Sequence, residues 1–253
     1  MANHLLSLLQ SEDYSVLQPH LRRRSVGFRE TLAQPGQRIS HVYFPESGIV
    51  SVVASNVAEV EVGVVGREGC VGASIVLEVE HSSIEAYGQM PGEGLTLPAP
   101  ILLDAAAQSR SLRRVFLRYT HAFWLQTAEA ACATARHTIE QRLARWLLMC
   151  HDRADGDELP ITHGFLATML GVRRPGVTIA THVLEGQGLI RAQRGRITIL
   201  DRARLECMAG SSYGAAEAEY ESVIGLPVRA DPIRTAASHR RCGTNSEPFC
   251  APT

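Results

Sequence analysis

Two adjacent arginines, Arg173 and Arg174, stand ahead of a Pro175-Gly176 pair and a run from Val177 to Leu184 with apolar residues at helical spacing. Proline is tolerated in the first turn of a helix, whose N–H groups have no intrahelical partner, so the pair marks a helix start and puts both guanidinium groups at its tip. A guanidinium fork bonds phosphate oxygens or the O6/N7 edge of guanine. If Val177, Ala180 and Val183-Leu184 point inward, then Arg173, Arg174, Gly176, Thr178 and Thr181 lie outward or toward the tip.

The elements needed to hold such a tip flank it. Phe165, Leu166, Met169 and Leu170 form the apolar face of a preceding short helix, Ala167 allows a close crossing, and Gly171 breaks the run as a sharp helix–helix turn requires. Beyond Gly188, Leu189-Ile190 and Ile197 to Ile199 alternate with polar residues around Arg194-Gly195-Arg196, a hairpin with glycine in its turn. The pattern predicts a winged helix-turn-helix over 161–200, with Thr162 at the entry of its first helix and Arg194 and Arg196 on the wing. A three-helix packing unit without a ligand is the competing reading, and charge decides against it. From Leu159 to Leu205 there are seven arginines and two acids, net +5, whereas residues 1–110 hold seven arginines and twelve acids, net −5. The overall charge of −1 therefore hides a basic module joined to an acidic one, as phosphate neutralisation needs.

On these residues, above all Leu170 to Thr178 (LGVRRPGVT), the chain resembles the Crp/Fnr family of bacterial transcription regulators, from near its N-terminus to about Asp201. The resemblance implies an α+β fold: an N-terminal antiparallel β-roll, a long dimerisation helix and a C-terminal winged helix-turn-helix. It implies double-stranded DNA, a second copy of the chain and RNA polymerase as partners, and matches Arg174 to the arginine the family uses on guanine. Pro175 stands where many members have glutamate and Ile179 where many have arginine, which bears on the operator sequence and not on DNA binding.

The N-terminal half fits a roll. A short amphipathic helical opening from Leu5 to Arg24 gives way to period two: His41 to Phe44, Ile49 to Ala54, Val60 to Val65, Ile84 to Tyr87 and Leu95 to Leu97, separated by Gly/Pro turns. A β-barrel of this kind can also be a metal-dependent enzyme, but the region offers only His41 and His81, far apart. No Ser-His-Asp, Cys-His or P-loop pattern with supporting context appears, so no catalytic residue and no metal ligand is assigned. In the family's nucleotide-binding members, a cassette between two strands presents a glutamate to the ribose and an arginine to the cyclic phosphate. The matching segment here runs from Gly69 to Ser74 and on through His81 to Ile84, with Ala73 in the glutamate's place and Ser82 in the arginine's. Gly72, Ala73, Ser82 and Ser83 are thus an effector site expected to work without cyclic AMP; the effector is not evident, and no cofactor is implied.

Between Pro98 and Asp152 the helical period returns. Leu112, Phe116, Tyr119, Phe123, Gln126 and Ala130 form a heptad seam, expected to be the dimer interface. A second stripe, Leu117, His121, Trp124, Ala128, Ala131 and Ala135, lies on another side. Two stripes suggest that the helix both covers the roll and meets a partner, against the alternative of a helix buried in one large core. It would reach about 36 Å from Leu112 to Ala135. Thr138-Ile139-Glu140-Gln141 reads as a capping box restarting the helix, so a hinge is expected near His137.

The 253 residues, 45% hydrophobic and 20% charged, suit one large or two modest domains. No apolar run approaches the ~20 residues of a membrane span, and the N-terminus lacks a signal peptide's pattern, so a cytoplasmic protein is expected. All 25 basic residues are arginine, which genome composition explains better than selection for phosphate contacts. Six cysteines show no C-x-x-C pair; free thiols, not zinc, are expected. The expected division is a β-roll over 1–109, dimerisation and hinge helices over 110–151, a winged helix over 152–225 with one weak helix beyond Glu206, and a disordered tail over 226–253.

Overall fold

The computed structural model describes residues 2–54 and 59–229. The chain opens with α1 (His4–Ser7) and α2 (Ser11–Leu17), then β1 (Arg22–Val26), β2 (Thr31–Ala33), β3 (His41–Pro45), β4 (Ile49–Ala54), β5 (Val60–Val65), β6 (Glu85–Met90) and β7 (Gly92–Pro98). The expected helical opening is broken: Pro19 sits in a 3₁₀ turn and Arg22 to Arg24 already belong to β1, paired with β7. Two antiparallel sheets result, ordered β1-β7-β3 and β2-β6-β4-β5. Val26 and Tyr43 of the first sheet share a buried cluster with Val50, Val52, Val65 and Ala86 of the second. This is the core of a β-roll.

Helices α3 (Ala99–Gln108) and α4 (Arg110–Arg136) follow. Alpha-4 has 27 residues, about 40 Å of helix. Its Leu112/Phe116/Tyr119 ridge lies on the chain's own roll. Phe116 meets Phe44 edge to face at 6.1 Å, Tyr119 Oη donates to the Cys70 carbonyl at 3.0 Å, and the Val64 amide donates to Gln126 Oε1 at 2.7 Å. Gly69 permits this approach, since a Cβ there would stand 2.3 Å from Tyr119 Oη. Phe123 is partly buried against two clusters of the roll, and Ala130 faces Val60 and Glu61 across a small cavity. Leu112, Phe116, Tyr119 and Gln126 of the seam expected to bind a second copy are therefore buried within the protomer, while Phe123 and Ala130 are half-buried. The second stripe is left outward: Trp124 is 63% exposed and Leu117 38%.

Alpha-4 ends at Arg136, and Thr138 and Gln141 form a reciprocal capping box at the start of α5 (Ile139–His151). Then come β8 (Glu158–Leu159), α6 (His163–Leu170), α7 (Arg174–Gly186), β9 (Ile190–Gln193), β10 (Arg196–Ile199), α8 (Arg202–Ala209) and α9 (Ala215–Ile224). Strand β8, absent from the sequence reading, pairs with β10 and completes a three-stranded wing sheet. Alpha-8 packs on α5, whereas α9 turns back over α4. The tail expected to be disordered is ordered as far as Arg229, with Val228 buried against the roll's helices; residues 230–253, which include Cys242 and Cys250, lie outside the described residues.

A candidate DNA-reading face

Thr162 caps α6, its hydroxyl accepting from the Phe165 amide at 3.2 Å. Gly171 ends the helix at φ +61°, and Leu166, Met169, Leu170, Val177, Ala180 and Leu184 close the two helices over α5 in one cluster. Alpha-7 starts at Arg174, with Pro175 in its first turn. Arg173 and Arg174 are exposed at this tip, as is Arg194 in the β9–β10 turn, where Gly195 takes φ +74°. Arg196 is exposed too, but it forms an ion pair with Glu158 at 3.0 Å. The helix tip and the wing turn thereby each present exposed arginines, in the chain order of a winged helix.

Three assigned residues fare differently. Thr181 is fully buried beneath α7, and its hydroxyl has no hydrogen-bond partner among the described residues. It is a packing residue and not an outward one; it is one turn after Val177 and takes the same inward direction. Gly176 also serves packing, since a Cβ there would come within 3.1 Å of Ile139 Cδ1 of α5. Thr178 is half-buried and returns its hydroxyl to the Arg174 carbonyl at 3.2 Å. Conversely, Val183, read as inward, is 36% exposed, and with Ile179, 61% exposed, it lies on the outer face beside His182.

Gly72, Ala73, Ser82 and Ser83 line a cavity of about 320 Å³ between the two sheets and α4. Gly72 takes φ +91°, and Ser82 is buried with its hydroxyl donated to the Ile84 carbonyl at 2.7 Å. Apolar residues such as Val52, Val71 and Phe123 form much of the wall. Its two arginines are held by carboxylates: Arg24 by Glu30 at 2.9 Å and Arg38 by Glu80 at 3.1 Å. Tyr119, Thr120 and Phe123 bring α4 into the same wall, so an occupant would touch that helix directly.

The reader is seated on the roll. Phe165 meets Phe28 at 5.9 Å with the rings tilted by 56°, under the Arg29 guanidinium, and Tyr87 Oη reaches Met169 Sδ at 3.8 Å. Arg142 of α5 bonds the Leu170 carbonyl. At the centre Glu61 takes the Trp146 indole N–H on one oxygen and meets the Ser51 hydroxyl with the other. Ser51 also lies 2.8 Å from Gln89 Oε1, whose amide reaches Cys150 Sγ at 3.1 Å. Burial pushes the Glu61 carboxyl up to about 7, against the hydrogen bonds from Ser51 and Trp146 and the nearby charges of Arg145 and Arg153. One hydroxyl proton on Ser51 cannot serve both Glu61 and Gln89 Oε1. A protonated Glu61 donating to Ser51, which then donates to Gln89, satisfies every group.

Residues 141–208 match the model of the Crp-like helix-turn-helix domain. Three solved structures are similar over most of their length. A putative Crp/Fnr-family regulator from Eubacterium rectale is 18% identical, covering 81% of this chain and 97% of its own, with a TM-score of 0.64. FixK2 from Bradyrhizobium japonicum is 17% identical over 75% of this chain and 98% of its own, TM-score 0.65. The c-di-GMP responsive global regulator CLP of Xanthomonas campestris is 19% identical over 75% and 99%, TM-score 0.60. None of the curated proteins matches. Residues 141–208 are thus a Crp-like helix-turn-helix domain, set in a chain with the fold of the Crp/Fnr regulators.

Proposed function

We propose that the chain is a transcription regulator of Crp/Fnr type that acts by binding double-stranded DNA and not by catalysis. The observation that carries this is the exposed tip of α7, Arg173 and Arg174, on a domain matched as Crp-like, with Arg194 exposed in the turn of its wing. Alpha-7 enters the major groove, Arg174 reads a base edge, and Arg194 and Thr162 hold phosphates. Two copies join through the outward stripe of α4, Leu117, His121, Trp124, Ala128, Ala131 and Ala135, whose small residues allow close packing toward the C-terminal end. The exposed arginines Arg113, Arg114 and Arg118 beside the stripe's N-terminal end keep the helices further apart there. The operator is then near-palindromic, with half-sites about 10 bp apart. RNA polymerase is the downstream partner on which regulation would act.

The cavity in the roll is the effector site, and cyclic AMP is not its ligand. Enclosing a phosphate without an available cation is costly, and Arg24 and Arg38 are each held by a carboxylate. An occupant acts by pressing on Tyr119, Thr120 and Phe123 and so shifting α4 and the hinge at His137. Selection of binding sites by the full chain from random duplex DNA tests the proposal. Enrichment of a two-fold symmetric motif is expected, and a pool that converges on no motif would overturn it.

A further inference from the structure

The outer face of α7 carries an apolar patch on a helix whose N-terminal tip is cationic. Ile179 and Val183, one helical turn apart, are exposed, while Val177, Ala180 and Leu184 of the same helix take up the core-facing side. Neither packing nor helix propensity accounts for Ile179, because a β-branched residue on a solvated helix face is a poor choice on both counts. The exposed charges of the same domain tell what covers the patch: Arg173 and Arg174 lie at the tip of this helix and Arg194 in the turn of the wing. Glu185, the acid of α7, accepts from the Ala192 amide at 2.7 Å on one oxygen and lies 3.6 Å from His182 Nδ1 with the other. A partner with phosphates around an apolar centre is duplex DNA seen from the major groove, where the apolar feature on a base edge is the C5-methyl of thymine.

We propose that Ile179, assisted by Val183, reads thymine methyl groups and is the residue that sets operator preference beyond Arg174. This rests on the reading that α7 enters the major groove. Ile179 lies five positions after Arg174, about 7.5 Å along the helix, or roughly two base-pair steps at about 3.4 Å each. The half-site therefore holds a thymine about two base pairs from the guanine that Arg174 contacts.

The test uses the duplex selected by the full chain, with deoxyuridine in place of thymine at each position in turn. Deoxyuridine lacks the methyl and keeps every hydrogen-bonding group. Binding should fall about fourfold at one or two positions per half-site. Ile179→Ala should lose a similar factor on the thymine duplex and become indifferent to the change, while Arg174→Ala keeps the methyl sensitivity. Equal affinity for thymine and deoxyuridine duplexes at every position would overturn the assignment to Ile179 and leave DNA reading by Arg174 standing. Failure to select any duplex would overturn both.

Discussion

Tyr220 donates its phenolic hydrogen to the backbone carbonyl of Glu68 at 2.7 Å, across 152 residues of chain. The bond joins α9 to the roll just where α4 crosses it, and His121 of α4 meets Glu219 of the same turn at 3.1 Å. Alpha-8 meanwhile is tied to α5 through Arg202, which shares Asp152 with the Tyr213 hydroxyl, both at 2.7 Å. The C-terminal segment thus straps the helix-turn-helix domain to the roll across the break at His137, with Gly210 and Gly214, both at positive φ, between its two helices. Tyr220→Phe removes one buried hydrogen bond and should cost about 1 kcal/mol. Urea unfolding of the full chain would show it.

Beneath that strap, Glu68 and Arg153 form an ion pair at 2.7 Å with both side chains almost wholly enclosed. Arg153 also donates to the Met149 carbonyl, and Glu68 accepts from the Gly66 amide. Removing one partner strands the other charge away from water. Glu68→Ala should destabilise the chain by about 3–5 kcal/mol, far more than loss of the exposed Arg196–Glu158 pair, worth about 0–1 kcal/mol. Denaturation midpoints of the two variants would separate them.

Glu61 makes the roll–reader contact pH-dependent. Its carboxyl is raised to about 7 in the folded chain, so the neutral acid is the form the fold favours. That stability is fully present below the unfolded carboxyl value and is lost as pH rises through about 7. The groups facing it are Ser51, Trp146, Gln89, Cys150 and Met169, with Arg145 and Arg153 further off. A shift of this size corresponds to about 3 kcal/mol. The melting temperature should fall between about pH 4.5 and 7 and level off above it, and Glu61→Gln should flatten that slope; an unchanged slope in the variant would place the dependence elsewhere.

Local chemistry explains what the sequence disclosed. Gly171, Pro175 and Gly195 announce their turns because few other residues fit them, and Thr138 with Gln141 announces a helix start. The α4 seams could not be ranked from spacing alone: Leu112, Phe116 and Tyr119 repeat like Leu117, His121 and Trp124, and which stripe meets the roll depends on Phe44, Gly69 and Cys70, distant in sequence. Thr181 escaped for a related reason, a hydroxyl at a core position being indistinguishable by type from an exposed one. The course of α9 was invisible because its anchor, Tyr220 on Glu68, is purely tertiary.

Arg174 and Arg194 should differ in what they cost. Arg174→Ala should lose about 1–3 kcal/mol at the selected site and relax preference at one base position. Arg194→Ala should weaken binding to all sequences alike and reduce the salt slope by about one. Arg196→Ala should do less than Arg194→Ala, since Glu158 already neutralises it at 3.0 Å. Titrations on specific and scrambled duplexes at several salt concentrations would test this, and equal effects of Arg174 and Arg194 on both duplexes would refute the division of roles.

The two stripes of α4 make opposite predictions for assembly. Phe116 is fully buried against Phe44, so Phe116→Ala should open a cavity in the protomer and cost about 3–5 kcal/mol of folding stability. Trp124 is 63% exposed in the protomer, so Trp124→Ala should leave folding intact. In a dimer joined through the outward stripe the same indole becomes a buried anchor, of the kind whose truncation costs 2 kcal/mol or more, on the order of thirtyfold in dissociation constant. Sedimentation of Trp124→Ala should therefore show monomers at concentrations where the unaltered chain is dimeric, with the same melting curve at the monomer's limit. If dimerisation instead survives Trp124→Ala unchanged, the outward stripe is not the interface.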